Sequence, residues 1–204
     1  MGFYGEKVLP RIIDRACGAS TFAPWRQKVC EDLSGKVVEI GFGSGRNVPY
    51  YPSKIEVVYA VEPESLALKL ARKRIESAFV GIEHVGLDGQ AIPLSDKSCD
   101  AALSTFTLCT VRDPAAVLQE VVRVLKPGGQ FHFLEHGLAP SWGVALTQRL
   151  LNPLEIRLAG GCHLDRHPLA LIRDAGFELL WSDEGPAKGP KPWTYCSAGV
   201  AIKI

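Results

Sequence analysis

The sequence predicts an α/β fold in which a mostly parallel sheet carries helices on both faces. Runs of β-branched residues alternate with segments of helical periodicity along most of the chain. The first of these runs, Val37 to Ile40, gives way to glycines at every second position, as a buried strand does before a tight loop. Successive parallel strands are joined by crossover helices, and these helices cover both faces of the sheet.

Composition limits the classes of function. The chain has 204 residues, of which 47% are hydrophobic, and this predicts one domain over residues 1–204. The formal net charge is +1, so we expect a small-molecule substrate and no nucleic-acid partner. No run approaches eighteen apolar residues and the first residues form no apolar signal core, which predicts a cytoplasmic protein without a transmembrane span.

Six cysteines are scattered along the chain without a Cys-x-x-Cys pair. This pattern predicts reduced thiols that fill the core, and neither a disulfide framework nor a metal site. Because Cys109 and Cys162 are far apart in sequence, arsenic binding by that pair is not expected either.

The amino-terminal residues 4–33 predict two helices. Apolar residues recur at helical spacing from Val8 to Ile13, and Gly18 ends the first segment. Thr21 is placed to cap a second helix that runs to Leu33 with Pro24 in its first turn. We expect residues 1–35 to form either a lid over the substrate or a structural flap.

The glycine loop after the first strand predicts a ligand site. Glycine has no Cβ, so a ligand can lie against the backbone of Gly41, Gly43 and Gly45, and amides at a following helix start would face an anion. The second strand, Val57 to Val61, ends in Glu62, and an acid there accepts ribose hydroxyls in nucleotide-binding folds. Together these features predict adenosine binding. Arg46 replaces the last glycine of the dinucleotide fingerprint, which speaks against NAD(P).

The middle of the chain continues the alternation. Helices are predicted over Ser65–Ala78 and from Asp113-Pro114 onward, with strands over residues 82–87, 99–105 and 130–135. Asp88 follows the third strand, where a carboxylate can accept a hydrogen bond from an adenine amino group; a plain Asp-Gly turn is the alternative. Ligands bind at the carboxyl ends of strands in such sheets. We therefore expect five strand ends to converge on one cleft: Gly41, Glu62, Asp88, Thr105 and Glu135-His136.

The last third predicts one long helix and two strands. The helix Ser141–Leu158 is rich in apolar residues, which fits core packing, a wall for an apolar substrate or a transient membrane-surface contact. The strands Phe177–Ser182 and Tyr195–Ile204 are separated by a loop too short for a crossover helix, so we expect them to be antiparallel.

Several motifs together resemble the class I S-adenosylmethionine-dependent methyltransferases. They are Val-x-Glu-x-Gly-x-Gly-x-Gly, Glu62-Pro63, Asp88-Gly89-Gln90, the segment Thr105–Thr110 and Leu-Lys-Pro-Gly-Gly before a strand. The segment from Leu125 to His136 and the later Gly161-Cys162 resemble the thiol methyltransferase-like proteins, close to the ubiquinone and phosphatidylethanolamine methyltransferases. The resemblance implies a Rossmann-like, doubly wound, seven-stranded sheet with its last strand antiparallel. Eukaryotic members of the group carry an apolar amino-terminal anchor that we do not find in this sequence.

The resemblance also implies roles for individual residues. The methionine end of S-adenosylmethionine is expected beside Glu39, Gly41, Phe42, Gly43, Gly45 and Asn47. Glu62 is expected to bind the ribose, Pro63 to lie beside the adenine, and Asp88, Gly89 and Gln90 to complete the adenine site. Thr105 and Leu108 are expected under the sulfonium.

The reaction implied is an in-line displacement on a small, apolar acceptor such as a thiol, quinol or amine. Alignment and exclusion of water can supply most of the acceleration, so no catalytic triad is expected. His136 is the first candidate for a general base, followed by His163 and Asp165, although a structural role fits each of them. Residues 36–136 form the expected cofactor half and residues 137–204 the substrate side. A non-catalytic adenosyl-binding protein and an NAD(P)-dependent oxidoreductase are the alternatives.

Overall fold

Seven strands form one sheet in the computed structural model, which describes residues 4–204 apart from the side chain of Glu6. The strands are β1 (Gly35–Ile40), β2 (Ile55–Val61), β3 (Gly81–Gly86), β4 (Cys99–Thr105), β5 (Leu125–His136), β6 (Phe177–Pro186) and β7 (Tyr195–Lys203). They lie in the order β3-β2-β1-β4-β5-β7-β6. Strand β7 is antiparallel to β5 and β6, and the other neighbouring strands are parallel. The predicted Rossmann-like sheet with a reversed last strand is confirmed.

The helices are α1 (Leu9–Cys17), α2 (Ala23–Cys30), α3 (Ser65–Glu76), α4 (Pro114–Val124), α5 (Trp142–Leu158), α6 (Pro168–Asp174) and the short α7 (Lys191–Thr194). Helix α4 begins where the sequence predicted, because Pro114 occupies its first turn and the Asp113 side chain accepts a hydrogen bond from the amide of Ala116 at 3.0 Å.

Two apolar clusters cover the two faces of the sheet. Neighbouring residues of β1 point to opposite sides, so that Val37 packs in one cluster and Val38 in the other. Helix α2 contributes Val29 to the first cluster, and helix α4 contributes Leu118 to the second. Burial on both faces explains why the inner strands β1 and β4 read as nearly continuous apolar runs.

The amino-terminal helices are shorter than predicted. A π-helical turn, Tyr4–Val8, precedes α1, and a 3-10 turn, Ser20–Phe22, precedes α2, which ends at Cys30. Thr21 does not cap α2, because its hydroxyl donates a hydrogen bond to the carbonyl of Lys188 at 2.9 Å.

The glycine loop leads into a three-residue 3-10 turn, Val48–Tyr50, and not into an α-helix. Proline is tolerated at Pro49 in the first turn, but Pro52 lacks the amide hydrogen of a continuing α-helix and favours the extended conformation of Tyr51, so the turn ends there. The expected row of helix-start amides facing an anion is therefore absent from this part of the described chain.

Helix α5 packs with polar side chains inward. Gln148 is buried, and its side chain accepts a hydrogen bond from Ala139 at 2.9 Å and donates one to the carbonyl of Gly137 at 3.0 Å. The apolar residues Trp142, Leu146, Leu150, Leu154 and Leu158 are exposed. Core packing, the first of the three expectations for this segment, does not account for them. Over residues 4–204 no helix is both long and apolar enough to cross a membrane.

Strand order determines where a ligand can bind. From β1 the chain first builds β2 and β3 on one side, and then returns to place β4 on the other side. The carboxyl ends of β1, β2 and β4 lie side by side, with Ile40 paired to Val61 and to Ser104. Such a switch point leaves a crevice where parallel sheets bind their ligands.

Candidate functional site

A cavity of about 400 Å³ lies at the carboxyl ends of β1, β2 and β4. Its size is that of a typical small-molecule site. Nine residues predicted to bind a cofactor line it: Gly41, Phe42, Gly43, Asn47, Glu62, Pro63, Asp88, Gly89 and Thr105. Helices α1 and α2 close the other side with Leu9, Ile13, Asp14, Cys17 and Arg26.

Four other predicted cofactor residues, Glu39, Gly45, Gln90 and Leu108, lie outside the cavity lining. Glu39 and Leu108 are each 1% exposed, and Leu108 packs in the apolar cluster beneath α4. Gly45 faces Phe42, Val48 and Ala71, so it packs the loop against α3. The side chain of Gln90 is exposed and bends back towards Asp88. The fifth predicted strand end also lies outside the lining, because neither Glu135 nor His136 lines the cavity.

Two glycines of the loop differ in what surrounds them. Gly41 has φ +65°, and a Cβ there would lie 2.1 Å from the Thr107 hydroxyl oxygen, so a side chain would collide with the loop after β4. Gly43 has φ +57°, but a Cβ would meet no atom closer than 3.7 Å. Its backbone therefore faces open space in the cavity, where a ligand can approach it closely.

Glu62 joins the glycine loop to the end of β2. Its carboxylate accepts hydrogen bonds from the amide of Gly43 at 2.7 Å and from the amide of Glu64 at 2.8 Å. Burial raises the pKa of Glu62, and the two amide hydrogen bonds oppose the rise. Each carboxylate oxygen keeps a free lone pair beside these bonds, so the group still has acceptor capacity on the cavity side.

Beneath the loop lies a buried polar network centred on Glu39. The carboxylate of Glu39 accepts hydrogen bonds from the Asn47 amide at 2.8 Å and from the Tyr51 hydroxyl. The same Asn47 amide donates to the Thr105 hydroxyl at 3.0 Å, and its carbonyl accepts from Arg26 at 2.5 Å. Desolvation by burial raises the pKa of Glu39 to about 7, although hydrogen bonds from Tyr51 and Asn47 and the charge of Arg26 oppose the rise.

Arg26 is a site residue that sequence reasoning missed. It is 4% exposed, it donates hydrogen bonds to Asn47, to Thr105 at 3.0 Å and to the carbonyl of Cys17 at 3.0 Å, and its guanidinium lies 5.4 Å from the Phe106 ring centre. In the sequence Arg26 is one of two basic residues in the predicted second helix. Its distance from the glycine loop in the chain, 21 residues from Asn47, hid the contact.

Helix α1 is tied to the glycine loop by Asp14. Its carboxylate accepts hydrogen bonds from Arg46 at 2.6 and 2.8 Å and from the Ser44 hydroxyl. Burial acts to raise the pKa of Asp14, but the hydrogen bonds from Arg46 and Ser44 outweigh it and lower the pKa. The amino-terminal segment thus contacts the site directly.

Asp88 forms the predicted turn at the edge of the cavity. Its carboxylate accepts a hydrogen bond from the amide of Gln90 at 2.8 Å, which is the turn expected of an Asp-Gly pair. The residue also lines the cavity, on the same side as Glu62. At Gly89 a Cβ would lie 2.9 Å from Ile40, so the turn can pack against β1 only with glycine there.

Glu135 holds the loop after β4 in place. This fully buried carboxylate accepts hydrogen bonds from the Ser104 hydroxyl at 2.6 Å and from the amides of Thr107 at 3.1 Å and Cys109 at 3.3 Å. Phe106, in the same loop, has φ +56°, a strained value for a bulky residue. Phe106 lines the cavity, and its ring centre lies 4.8 Å from that of His136. His136 therefore lies next to a cavity residue and not at the cavity surface.

The two second-choice bases lie away from the cavity. His163 and Asp165 lie 3.9 Å apart in the segment after α5, and neither lines the cavity. Burial and the charge of Arg166 lower the pKa of His163.

A second cavity, of about 540 Å³, lies at the opposite edge of the sheet. Its lining includes Asp100 and Lys126, which form an ion pair at 2.5 Å, and Trp181. Although this cavity is larger, it contains neither the glycine loop nor the acids at the strand ends. It lies at the edge where the parallel strands begin, and sheets of this type bind ligands at the other edge.

Comparison with known proteins finds methyltransferases in sequence and in structure. Residues 38–133 match the family described as "Methyltransferase domain". The chain is 33% identical over 183 residues to a thiol S-methyltransferase, TMT1B, of Rattus norvegicus, covering 84% of this chain and 72% of the relative. It is 30% identical to a demethylmenaquinone methyltransferase of Paenarthrobacter aurescens, covering 78% and 63%. A methyltransferase structure from Methanosarcina mazei superposes with a TM-score of 0.67 at 21% identity, over 83% of this chain and 92% of that one.

The raised pKa of Glu39 predicts a pH-dependent stability. A carboxyl with a higher pKa in the folded chain holds its proton more tightly there, so its contribution is present below its unfolded pKa and is lost as the pH rises through about 7. Relative to Glu39→Gln, the wild type should lose free energy of unfolding between about pH 5 and pH 7.5. Urea unfolding of both proteins at the two pH values measures this difference. An equal difference in free energy of unfolding at both pH values would contradict the raised pKa of Glu39.

Proposed function

This chain belongs to the S-adenosylmethionine-dependent methyltransferases, and we propose that it methylates a small apolar acceptor, with a thiol as the first candidate. The observation that supports this most is the meeting of Gly43, Glu62 and Asp88 on one cavity. A backbone open to close approach and two carboxylates suit a ligand that has a cationic end, ribose hydroxyls and an adenine amino group.

We assign the parts of the cofactor to the lining residues. Glu62 receives the ribose hydroxyls with its remaining acceptor positions, and Asp88, Gly89 and Pro63 surround the adenine. The loop Gly41–Asn47 receives the methionine end, with Thr105 below the sulfonium. Glu39 and Arg26 act through Asn47 and Thr105 by fixing the direction of their side chains.

S-Adenosylmethionine supplies a methyl group bonded to a positively charged sulfur. That sulfur is a good leaving group because it departs as a neutral thioether. The residues of this chain align the two reactants and exclude water, so that one carbon–sulfur bond breaks as the bond to the acceptor forms. A thiol acceptor loses its proton to solvent, and a thiolate needs no base. This proposal does not use His136 as a base, because Phe106, and not His136, lines the cavity.

The apolar part of the cavity lining supports an apolar acceptor. Leu9, Ile13, Phe106 and Val111 give the lining an apolar surface. The charged groups that α1 and α2 add to the lining, Asp14 and Arg26, are already hydrogen-bonded to Arg46 and to Asn47. The rat relative named as a thiol S-methyltransferase supports a thiol, and the demethylmenaquinone relative makes a quinol the next candidate. The lid role of residues 1–35 belongs to the same proposal, since α1 contributes Leu9 and Ile13 to this lining and α2 contributes Arg26.

We also propose that the exposed face of α5 contacts an anionic membrane surface. Its five apolar residues, Trp142, Leu146, Leu150, Leu154 and Leu158, recur every four positions, and we call them the α5 stripe. Arg157 lies along the stripe and Arg149 beside it, and both are exposed. Glu155, the acidic residue of α5, is half-buried and accepts a hydrogen bond from Trp193. An apolar face with basic neighbours is the pattern of interfacial helices on anionic lipids.

The ribose assignment predicts the effect of Glu62→Gln. The substitution removes a negative charge but keeps the size and one acceptor oxygen, so one of the two amides of Gly43 and Glu64 retains an acceptor. The affinity for S-adenosylmethionine should fall by about 1.5–3 kcal/mol, the contribution of hydrogen bonds to a charged group. Isothermal titration measures it, with Glu56→Gln at the far end of β2 as the matched control. If Glu62→Gln and Glu56→Gln bind equally well, Glu62 does not bind the ribose.

The acceptor proposal is tested by a panel of thiols, quinols and amines, with S-adenosylhomocysteine as the detected product. We expect the highest kcat/KM with thiols.

The membrane proposal is tested with an alkyl thiol in phosphatidylglycerol vesicles. The double variant Leu150→Glu with Leu154→Glu should lower the rate roughly tenfold or more, since each leucine loses about 1.5–3 kcal/mol of apolar burial. The rate with a water-soluble thiol should not change. Leu180→Glu, an exposed leucine on β6, is the matched control.

Two results would contradict these proposals. Turnover of amines or quinols without turnover of thiols would reject the thiol assignment. Equal losses for soluble and vesicle-borne thiol in the double variant would reject the membrane role of the α5 stripe.

A further inference from the structure

Three side chains from three separate segments meet beside the cavity. Cys109 lies in the loop after β4, His136 ends β5, and Cys162 follows α5. The two sulfur atoms are 3.8 Å apart, and His136 Nδ1 lies 3.8 Å from Cys109 Sγ and 3.4 Å from Cys162 Sγ. Sequence spacing concealed this group, because 53 residues separate the two cysteines.

The triangle of ligand atoms has the dimensions of a zinc site. Zn–S bonds of about 2.3 Å and Zn–N bonds of about 2.0–2.1 Å at tetrahedral angles place two sulfurs about 3.8 Å apart, and sulfur and nitrogen about 3.6 Å apart. The three observed separations lie within about 0.2 Å of these values. A disulfide, by contrast, requires sulfurs about 2.0 Å apart.

The histidine lacks a strong partner on the nitrogen that faces the sulfurs. Within the described residues, Nδ1 of His136 has hydrogen-bond contacts with the two sulfur atoms, which are weak donors and acceptors. Contact between two thiols alone would be ordinary core packing. A ring nitrogen directed at both thiols is the arrangement that a metal ion would complete.

Backbone contacts hold the ligands in place. The amide of His163, next to Cys162, donates to the carbonyl of Cys109 at 2.7 Å, which joins the two cysteine segments. The amide of Cys109 donates to Glu135 at 3.3 Å, and Glu135 is the neighbour of His136. The amide of Leu164 donates to Asn152 at 2.9 Å, fixing the chain that follows Cys162 to α5. Sites built on such fixed elements need little rearrangement to bind.

We propose that Cys109, His136 and Cys162 bind one Zn²⁺ ion and leave its fourth position to water or another external ligand. Two thiolates and one imidazole in tetrahedral arrangement favour zinc among the common metal ions. The ion would lie behind the cavity wall, since Phe106 contacts His136 and Thr110 lies 3.6 Å from Cys109 Sγ. This inference replaces the sequence-based expectation of no metal, and it does not depend on methyl transfer.

The test uses the full chain, reduced with a phosphine under nitrogen and titrated with Co²⁺ as a spectroscopic substitute for Zn²⁺. We expect one equivalent to produce thiolate-to-cobalt charge-transfer absorption and the visible bands of tetrahedral cobalt, with Zn²⁺ abolishing both. Cys109→Ser and Cys162→Ser should remove the charge-transfer signal, and His136→Gln should weaken Co²⁺ binding at least tenfold. Cys99→Ser, which removes a buried cysteine outside the cluster, should leave both unchanged.

A second measurement keeps the test decisive if a serine variant fails to fold. In the wild type, Zn²⁺ should protect Cys109 and Cys162 together from alkylation in mild urea, and a chelator should reverse the protection. The proposal is wrong if stoichiometric cobalt absorption is absent, if Cys99→Ser removes the signal as fully as Cys109→Ser, or if Zn²⁺ protects neither cysteine.

Discussion

The hydrogen bond from the amide of Gly43 to the carboxylate of Glu62 is the contact on which the site depends. It joins the loop after β1 to the end of β2 at 2.7 Å, and it orients a carboxylate whose pKa burial has raised. Gly41, two residues earlier, has room only for hydrogen on its Cα because the Thr107 hydroxyl is so close. Two strand ends and the loop after β4 are thereby fixed relative to one another, and the space between them is the cavity.

The polar network below this contact connects the site to the rest of the protein. Glu39, Asn47, Thr105 and Arg26 form hydrogen bonds from β1, the glycine loop, the end of β4 and α2 respectively. A buried charged group without a partner destabilises the folded state, so each member of the network constrains the others. The amino-terminal helices are held to the sheet by this network as well as by apolar packing, which explains why α1 and α2 can shape a cavity whose other walls belong to the sheet.

The sequence predicted the fold, and four of the five strand ends that it predicted for the cleft line the cavity, because these features are local. β-Branched runs, the Asp113-Pro114 cap and the glycine spacing each act within a few residues. Arg26, Phe106 and the Cys109–His136–Cys162 group were missed as site features because they depend on contacts between distant segments. The helix at 142–158 was ambiguous for a related reason: composition reveals apolar residues but not that Gln148 and Asn152 occupy the buried side. His136 was placed at the correct strand end, but that end lies behind Phe106.

The central claim is that this cavity binds an adenosyl sulfonium and not a dinucleotide. Thermal unfolding of the full chain with S-adenosylmethionine, S-adenosylhomocysteine or NAD at equal concentration tests it most directly. At about 100 times the dissociation constant a ligand contributes about 2.7 kcal/mol, which corresponds to a rise in melting temperature of roughly 5–10 °C for a domain of this size. The account predicts that rise with both adenosyl ligands and none with NAD. No shift with either adenosyl ligand, or a shift with NAD alone, would contradict it.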